Sequence, residues 1–562
     1  MPIERITSDN ILSDIDRHFK VSAGPGAGKT HWLVNHIKNV LHHSDKLFRT
    51  RKIACITYTN IAVETILKRL GTSSEQVEVS TIHSFLYSNV VKPYASFISR
   101  EFGLNISEID GHDDIVLSNY SFLQEWKTRT KQLRIQDDKK VIEAFSKLRW
   151  KFEGSELKVK TEYPILIGKY PIKNDSYLEY KKMMWEKGYL HHEDVLFFSY
   201  QIIEKFPFVL DVLSAKFPYI YIDEFQDSNP IQVEIVKKIS TKNSIIGIIG
   251  DIAQSIFKFQ GADCTQFDLF TLPNITNYIL EENRRSSNEI IDVLNFIRED
   301  ITQIKSRNIN KGKPLILIGD MALALIEAKK ICINENVYSL SRINITSNAM
   351  KAEISGYNLD NQLLEKIKEI DSNQVRCKLI YSCIKAITYA KEQKFKDALK
   401  ELEKYFNYKT DKIRGKKKAL KYITILLDKL SEFEDNSLLE FSDFLRKNLS
   451  VDFPKVTRGA VKSFYESHTF KQLSLCVSIP EDLSFHKTIH KSKGDEFDNV
   501  LLVLKQETDM NFLLEKNLYN DEEHRINYVG CSRAKNRLFI SVPVLSQTNQ
   551  DKLRPLFEIQ NV

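Results

Sequence analysis

The sequence predicts an α/β protein with two lobes, in which parallel sheets are flanked by helices and each lobe carries a mainly helical insertion. Three observations predict this class. Short apolar runs typical of buried parallel strands occur early in the chain, in residues 219–249 and near the end. Most of these runs are followed by a few polar residues and then by a helical pattern. Residues 89–189 and 349–474 lose the strand pattern and follow helical spacing.

The composition is that of an ordinary globular protein, with 42% hydrophobic and 28% charged residues. The 562 residues leave room for about three or four domains. We see neither a membrane-length apolar run nor a signal peptide, so we expect no membrane association and a cytoplasmic location. Seven cysteines without a CxxC pair argue against disulfide, zinc and iron–sulfur frameworks. A net charge of +7 permits a polyanionic partner without demonstrating one.

The first apolar run is followed by a loop of small residues, AGPGAGKT, at positions 23–30. A strand before it and a helix after it are the setting of a phosphate-binding loop. The residues whose backbone can close on phosphate oxygens are Ala23, Gly24, Gly26, Ala27 and Gly28. Lys29 can reach the β- and γ-phosphates, and the Thr30 hydroxyl suits Mg²⁺. Ala23 stands where the general pattern has its first Gly, yet the Gly-Lys-Thr offset predicts a nucleotide site rather than an ordinary turn.

Two further apolar runs, at residues 53–57 and 77–81, end in hydroxyl, amide and aromatic residues. Each could be an ordinary strand end. Ligands, however, bind beyond the carboxyl ends of parallel strands, which favours a functional reading beside a phosphate loop. Hydroxyls and amides can hold a phosphate backbone there, and Tyr58 and Phe85 could stack on bases.

The strand at 219–222 leads directly into Asp223 and Glu224. In a nucleotide hydrolase Asp223 would hold Mg²⁺ through water and Glu224 would polarise the attacking water. The alternative is an acidic strand end that merely starts a helix. The next strand, at 245–249, leads to Gln254, which can sense a γ-phosphate, and then to aromatic residues that can meet a nucleic acid.

A second lobe is expected to open with a strand at 275–280 and to close with strands near 499–504 and 537–542. Arg285 and Arg533 are candidates for stabilising transition-state charge, because that task needs an always-charged, fork-shaped donor. Either arginine alone would more often be a surface residue. The basic run at 409–421 is either a solvated helix face or a nucleic-acid patch.

As a set, these stretches resemble superfamily 1 helicases of the UvrD/Rep type, in the family's order. The matching stretches are AGxGxGKT (23–30), TYTN (57–60), TIHSF (81–85), DEFQD (223–227), GDxxQSIF (250–257), HKSKGxEF (490–497) and YVGCSRA (528–534). The resemblance implies two RecA-like lobes, each with an insertion. It implies subdomain 1A at 1–88 and 190–278, 1B at 89–189, 2A at 279–348 and 475–562, and a reduced 2B at 349–474.

The resemblance also implies an enzyme that hydrolyses ATP with Mg²⁺ and moves 3′ to 5′ along single-stranded or tailed DNA. The residues on the family's ATP-site positions are Lys29, Thr30, Asp223, Glu224, Gln254, Arg285, Glu496 and Arg533. The residues at or beside its DNA-contact positions are Tyr58, Thr59, Asn60, His83, Phe259, Thr488 and His490. By the same resemblance Thr30 and Asp223 would hold the metal ion.

Several positions depart from the family pattern. No Gln occurs between residues 1 and 20, where the family reads adenine with one, and Arg284 stands where a Tyr usually stacks on that base. A guanidinium plane could stack similarly. Gln260 replaces a common Arg, and the 2B-like segment is short.

The compact chain is also similar to the helicase-like subunits of Gabija-type antiphage systems, which partner an OLD-type nuclease. Two functions therefore stay open. One is an autonomous helicase, and the other is a DNA-end-sensing ATPase that regulates a nuclease with little unwinding. The residues do not exclude RNA as the track.

Overall fold

A computed structural model describes residues 3–111, 120–161, 166–167, 170–354, 359–405, 412–449, 453–479 and 484–562. The chain divides into two compact units. Unit 1 comprises Met1–Arg285, Arg298–Arg307 and Leu518–Arg525, and unit 2 comprises Ser286–Ile297, Asn308–Asn517 and Ile526–Val562. Each unit contains one large parallel sheet, which confirms the predicted α/β class. The subdomain boundaries stay a prediction.

Unit 1 is built on a seven-stranded sheet. Its described strands are β1 (Ile3–Ile6), β2 (Phe19–Ala23), β3 (Ile53–Thr57), β4 (Val77–Thr81), β5 (Asp110–Gly111), β6 (Leu148–Glu153), β7 (Glu156–Thr161), β8 (Leu166–Ile167), β9 (Tyr170–Pro171), β10 (Tyr189–Leu190), β11 (Tyr219–Ile222), β12 (Ile245–Gly250), β13 (Thr276–Leu280), β14 (Glu282–Asn283) and β15 (Ile304–Lys305). The large sheet has the order β1-β13-β2-β12-β11-β3-β4, and every pair in it is parallel.

Unit 1 also contains helices among its described residues. They are α1 (Lys29–His43), α2 (Asn60–Leu70), α3 (Ile82–Leu86), α4 (Lys92–Phe102), α5 (Tyr120–Arg129), α6 (Asp138–Ser146), α7 (Asp175–Glu186), α8 (His192–Lys205), α9 (Phe208–Lys216), α10 (Pro230–Ser240) and α11 (Thr265–Asp268). The central strands β3, β11 and β12 are buried at every position, as their unbroken apolar runs predict. Alternate residues of β11 join different cores: Tyr219 and Tyr221 pack with Trp32, whereas Ile220 and Ile222 pack on the opposite face.

Strand β13 was expected to open the second lobe, and that expectation is wrong. It pairs with β2 and β1 in the sheet of unit 1, with Leu280 opposite Ala23. Alternation of residues predicts that a strand exists but not which neighbours it takes, because pairing partners are set by the tertiary fold.

The inserted segment before β10 contains helices α4 to α7, but it also contains an antiparallel hairpin of β6 and β7. The helical interpretation of residues 89–189 fails directly after α6, which ends at Ser146. In β6, Leu148 and Trp150 are buried and Lys151 is exposed, which is the period of a strand. Gly154, with φ +65°, supplies the tight turn between the two strands.

A buried carboxylate fastens this insertion to helix α8. Asp194 is 1% exposed and accepts hydrogen bonds from the indole N–H groups of Trp150 (3.0 Å) and Trp185 (3.1 Å) and from the backbone of His191 (3.1 Å). The ammonium of Lys181 lies 2.9 Å away. Burial alone would raise the pKa of Asp194, but the Lys181 charge and the hydrogen bonds hold it below its ordinary value.

Unit 2 is built on a six-stranded parallel sheet of order β18-β17-β19-β20-β16-β21. Its strands are β16 (Leu315–Ile318), β17 (Val337–Ser341), β18 (His486–Thr488), β19 (Phe497–Val503), β20 (Ala534–Val542) and β21 (Glu558–Asn561). The remaining helices are α12 (Asn288–Ile297), α13 (Met321–Ile331), α14 (Asn344–Lys351), α15 (Leu363–Ile370), α16 (Gln374–Lys391), α17 (Phe395–Tyr405), α18 (Lys412–Asp428), α19 (Leu438–Asn448), α20 (Gly459–Ser467), α21 (Phe470–Ser474), α22 (Asn511–Leu514), α23 (Glu522–Ser532) and α24 (Gln547–Leu553).

Helices α15 to α21 pack around a hydrophobic core of their own. The basic run falls mainly on α18, where Lys416, Lys417 and Lys421 are exposed and Ala419 and Leu426 face the core. Lys409, at the start of that run, lies outside the described residues. Among the helices that the structure describes, none is both long and apolar enough to cross a membrane.

Substituting Asn for Asp194 should lower the free energy of unfolding by about 3–5 kcal/mol, because it leaves Lys181 buried without a counter-charge. The pKa of Asp194 is lower in the folded chain than in the unfolded chain, so its stabilisation is present above about pH 4 and is lost as pH falls through the folded pKa. Thermal and urea unfolding of Asp194→Asn would measure both effects. The control is Asp175→Asn, at an exposed carboxylate on α7; equal stability of the two variants would contradict the assignment.

Candidate active site

The predicted site residues of unit 1 follow neighbouring strands of one sheet. In sheet order from β13 to β4, the residues that follow each strand are Arg284 and Arg285 (β13), the loop 24–30 (β2), Gln254 (β12), Asp223 and Glu224 (β11), Tyr58 to Asn60 (β3) and His83 (β4). Parallel strands end at the same edge and lie about 4.8 Å apart. The ATP-site candidates therefore lie at β13, β2, β12 and β11, and most of the nucleic-acid candidates lie at β3 and β4.

The loop after β2 has the geometry of a phosphate cradle. Gly26 (φ +74°) and Gly28 (φ +79°) occupy the left-handed region, and α1 begins directly after Gly28. The Lys29 ammonium is buried and has no hydrogen-bond partner among the residues that the structure describes. A buried cation without a counter-charge is unfavourable, so an anionic ligand at this position would stabilise it. The loop fits the phosphates of a nucleotide.

The acidic pair after β11 is held by its neighbours. Asp223 is 4% exposed, donates its N–H to the carbonyl of Ile56 (2.8 Å) and accepts the N–H of Glu224 (3.0 Å). Glu224 has φ +54°, a strained conformation for a residue with a Cβ, and its carboxylate accepts a 2.5 Å hydrogen bond from Gln226. Strain of this kind is typical of residues held in place for function. Asp223 and Thr30 are the side chains that would hold Mg²⁺.

Gln254 is oriented by a second buried carboxylate. Its amide donates to Asp251 (2.6 Å), and Gln254 itself is 4% exposed. The side-chain Oε1 of Gln226 accepts the N–H of Asp251 (3.0 Å). One glutamine therefore contacts both the Glu224 carboxylate and the strand end that carries Gln254.

The two arginines after β13 lie beside the phosphate loop. The Arg284 N–H donates to the carbonyl of Gly26 (3.0 Å), and a Cβ on Gly26 would lie 2.8 Å from the Arg285 Cβ. The Arg284 guanidinium contacts Asp9 (2.5 Å) and Glu282 (2.7 Å) and lowers the pKa of Asp9. A base stacked on Arg284 would meet this half-exposed ionic group.

The nucleic-acid candidates after β3 are joined to the segment after β12. Tyr58 stacks on Phe257 with ring centroids 4.7 Å apart, and its hydroxyl donates to Gln260. Phe259 is 58% exposed and leans on Phe257 at 5.9 Å. An exposed ring supported from below is a suitable platform for a nucleic-acid base.

Thr59 and His83 have structural roles that the sequence did not predict. Thr59 caps α2 by accepting the N–H of Ala62 (3.2 Å), and Asn60 is the exposed first residue of that helix. His83 contacts His192 edge to face at 5.4 Å. Burial, aided by the charges of His192 and Arg149, lowers the pKa of His83 to about 4. His83 is therefore neutral near pH 7 and offers hydrogen bonding rather than charge.

A cleft of about 1010 Å³ adjoins Phe259. It is lined by the β6–β7 hairpin, by residues 258–265 and by the segment 519–525. Basic and aromatic side chains that line it include Lys147, Arg149, Trp150, Phe152, Lys258 and Arg525. Interleaved cations and rings are typical of a groove for single-stranded nucleic acid.

Four predicted residues lie in unit 2. Arg533 is 2% exposed and donates to the carbonyl of Asp495 (3.4 Å), next to Glu496, which forms an ion pair with Lys535 (3.7 Å). Thr488 ends β18 and accepts the N–H of Lys491 (3.4 Å), and His490 begins the short turn that follows. Unit 2 thus brings Arg533 together with the segment carrying Glu496.

Sequence reasoning missed the residues that hold these groups in place. They are Asp9, Gln226, Asp251, Asn283, Arg298 and Gln303. Gln226 and Asp251 stand within the quoted motifs, so their position beside Glu224 and Gln254 was a usable signal. Arg298 and Gln303 lie outside every motif, and nothing in their local pattern points to the site.

Two family models match the chain. The UvrD/REP helicase N-terminal domain matches residues 6–275, and the UvrD-like helicase C-terminal domain matches residues 280–544. Together the two models cover nearly all of the chain and most strands of both large sheets.

Several curated proteins are similar to the chain. The ATP-dependent DNA helicase PcrA of Bacillus subtilis is 27% identical over 51% of this chain and 38% of its own length. The Gabija protein GajB of Bacillus cereus is 23% identical over 94% of each chain. The ATP-dependent DNA helicase Rep of Buchnera aphidicola is 24% identical over 93% of this chain and 92% of its own.

Replacing Lys29 by Ala should abolish ATP hydrolysis, with a rate loss of at least about 10²-fold, while the fold is retained. Removing a buried cation that lacks a partner should not lower the melting temperature of the nucleotide-free protein. Steady-state ATPase assays and thermal unfolding would measure the two effects, with Lys68→Ala, at an exposed position of α2, as the control. Appreciable DNA-stimulated hydrolysis by Lys29→Ala would refute the assignment.

Replacing Phe259 by Ala should raise the DNA concentration that half-saturates ATPase stimulation by about 5- to 150-fold, since stacking of one base contributes about 1–3 kcal/mol. Titration with single-stranded DNA at fixed salt would measure this. Phe48→Ala is the matched control, because Phe48 is 70% exposed and lies in the connection between α1 and the amino end of β3. An unchanged midpoint for Phe259→Ala would remove Phe259 from the nucleic-acid site.

Proposed function

The chain belongs to the UvrD/REP helicase family, and we propose that it is a Mg-ATP-dependent DNA helicase that moves 3′ to 5′ along single-stranded DNA. The observation that carries this proposal is the order of the strand ends in unit 1. The phosphate loop with its buried Lys29, the acidic pair and the nucleic-acid candidates occupy successive strands of one edge. The 3′-to-5′ direction comes from the resemblance to the family.

In the hydrolysis step, Lys29 neutralises charge on the β- and γ-phosphates, and Glu224 accepts a proton from the attacking water. Gln226 restricts the Glu224 carboxylate through its 2.5 Å hydrogen bond. A Mg²⁺ ion on Thr30 and Asp223 would neutralise phosphate oxygens. Arg285 and Arg533 supply fork-shaped positive charge for the transition state.

Coupling between hydrolysis and movement is assigned to residues 251–261. Gln254 stands near the start of this segment and the exposed Phe259 near its end, and Tyr58 is fastened to it through Phe257 and Gln260. A shift of Gln254 on loss of the γ-phosphate would therefore reach the base platform through only a few residues.

A second function is favoured by the similarity to GajB, which extends over 94% of both chains. Under it the chain is an ATPase that senses DNA ends and regulates a partner nuclease, of the OLD type, in bacterial antiphage defence. Both functions use the same ATP site and the same DNA platform. They differ in whether the isolated chain separates strands. Within the part of the chain that the structure describes, no two cysteines form a disulfide, and we propose a cytoplasmic location for the chain.

Purified chain should hydrolyse ATP faster with single-stranded DNA and should displace a strand only from a duplex with a 3′ tail. ATPase rates with and without DNA, beside displacement of 3′-tailed and 5′-tailed duplexes, would test this. The Glu224→Gln variant is the control, because it should keep nucleotide binding and lose hydrolysis.

Displacement from the 5′ tail alone would overturn the proposed direction. DNA-stimulated hydrolysis without displacement from either tail would favour the regulatory ATPase, and the next measurement would be nuclease activity of a co-purified partner. No DNA stimulation at all would contradict both functions.

A further inference from the structure

The segment Arg298–Arg307, which we call the strap, packs in unit 1 although the chain on either side of it belongs to unit 2. Its β15 pairs with β14, with Ile304 opposite Glu282 and Lys305 opposite Asn283. Ile301 and Gln303 are buried, and Thr302 between them is exposed. This alternation turns Gln303 inward.

Gln303 contacts the phosphate loop directly. Its Nε2 donates to the carbonyl oxygen of Pro25 (2.9 Å), and its Oε1 accepts from Asn283 Nδ2 (3.1 Å). Asn283 Oδ1 in turn accepts the N–H of Arg285 (2.9 Å). A Cβ on Gly24 would lie 2.2 Å from Gln303 Nε2, so the two residues are in close contact.

This hydrogen bond fixes a peptide plane that would otherwise rotate easily. The Pro25–Gly26 peptide is flanked by Gly26 at φ +74°, a residue that tolerates either sign of φ. In a trans peptide the C=O and the following N–H point in opposite directions. By holding the Pro25 carbonyl, Gln303 directs the Gly26 N–H away from the strap, and a flipped plane would remove that donor from the loop.

The other end of the strap holds the group that orients Gln254. The Arg298 side chain is 0% exposed and donates to both carboxylate oxygens of Asp251, at 3.1 and 3.4 Å. It also donates to Asp300 at 2.8 and 2.9 Å. Asp251 accepts the Gln254 amide at 2.6 Å. A fork-shaped donor in this place fixes the plane of the Asp251 carboxylate and, through it, the Gln254 side chain.

We propose that Gln303 and Arg298 are positioning residues for ATP hydrolysis. Gln303 positions the phosphate loop, Arg298 positions the Gln254 side chain, and the strap holds these two residues at a fixed spacing. This inference rests on the proposed function. The loop follows β2 and Gln254 follows the adjacent β12. Small misplacements between such groups cost large factors in rate. The two ends of the strap should therefore have separable effects, one on nucleotide binding and one on the chemical step.

The test uses the full chain with a fluorescent N-methylanthraniloyl ADP as the binding probe and ATP as the substrate. Gln303→Met keeps most of the side-chain volume and removes both hydrogen bonds, and Gln303→Ala removes the volume as well. We expect both variants to weaken ADP analogue binding and to raise KM by about threefold to tenfold, with a smaller change in kcat. Thr302→Ala, at the exposed neighbouring position, is the matched control.

Arg298→Lys keeps the buried charge and loses the fork, so the fold should survive where Arg298→Ala would leave the buried Asp251 carboxylate without its counter-charge. We expect kcat to fall about tenfold or more while ADP analogue binding stays near that of the wild type, because ADP lacks the γ-phosphate that Gln254 meets. Melting temperatures would be measured for every variant.

If Gln303→Met behaves like the wild type and only Gln303→Ala is impaired, Gln303 is a packing residue and the inference is wrong. Equal changes of KM and kcat in Gln303→Met and Arg298→Lys would also overturn it, because the two ends would then not be separable. If the wild type neither binds the ADP analogue nor hydrolyses ATP, the proposed function itself fails.

Discussion

Parallel pairing of the strands in unit 1 is the constraint on which the candidate site depends. Because β13, β2, β12, β11, β3 and β4 run in one direction, their carboxyl ends share one edge, and residues more than 250 positions apart in the sequence, such as Ala23 and Leu280, become neighbours. Loops at that edge can vary without disturbing the buried strands. Motifs that are separated along the chain therefore lie side by side at this edge, from the phosphate-binding loop to the nucleic-acid candidates.

Buried carboxylates then fix what the sheet edge brings together. Asp251 and Asp194 are each 1% exposed, and each accepts hydrogen bonds from several donors. A buried ion pair adds little net stability over an apolar contact, but losing one partner is strongly unfavourable. Such groups therefore specify orientation rather than contribute stability. Asp194 sets the insertion against α8, and Asp251 sets Gln254 against the strap.

The Lys29 ammonium differs from these groups, because no residue in the described part of the chain forms a hydrogen bond with it. A ligand would supply the counter-charge of this ammonium, and Gly26 and Gly28, in the left-handed region, keep the backbone open around it. Rep and GajB are both similar to this chain over nearly its whole length, at 24% and 23% identity, so the comparisons do not choose between the two proposed functions.

The sequence by itself determined the α/β class, the phosphate loop and the acidic pair, because each depends on residues close together in the chain. Strand runs such as Ile245–Gly250 and the offset of Lys29 from its glycines are local patterns with few alternative interpretations. The β6–β7 hairpin also carried a local signal, the alternation of buried Leu148 and Trp150, but helical spacing concealed it.

Only the tertiary structure decided where β13 belongs and which side chains support the site. Residues far apart in the sequence are joined by strand pairing, by the Tyr58–Phe257 stack and by the contact of Gln303 with Pro25. Gln303 and Pro25 are 278 positions apart. Such contacts follow from packing and buried hydrogen bonds, which leave no periodic trace in the chain. A lone Gln in a loop is an ordinary surface residue until the fold brings it against a carbonyl.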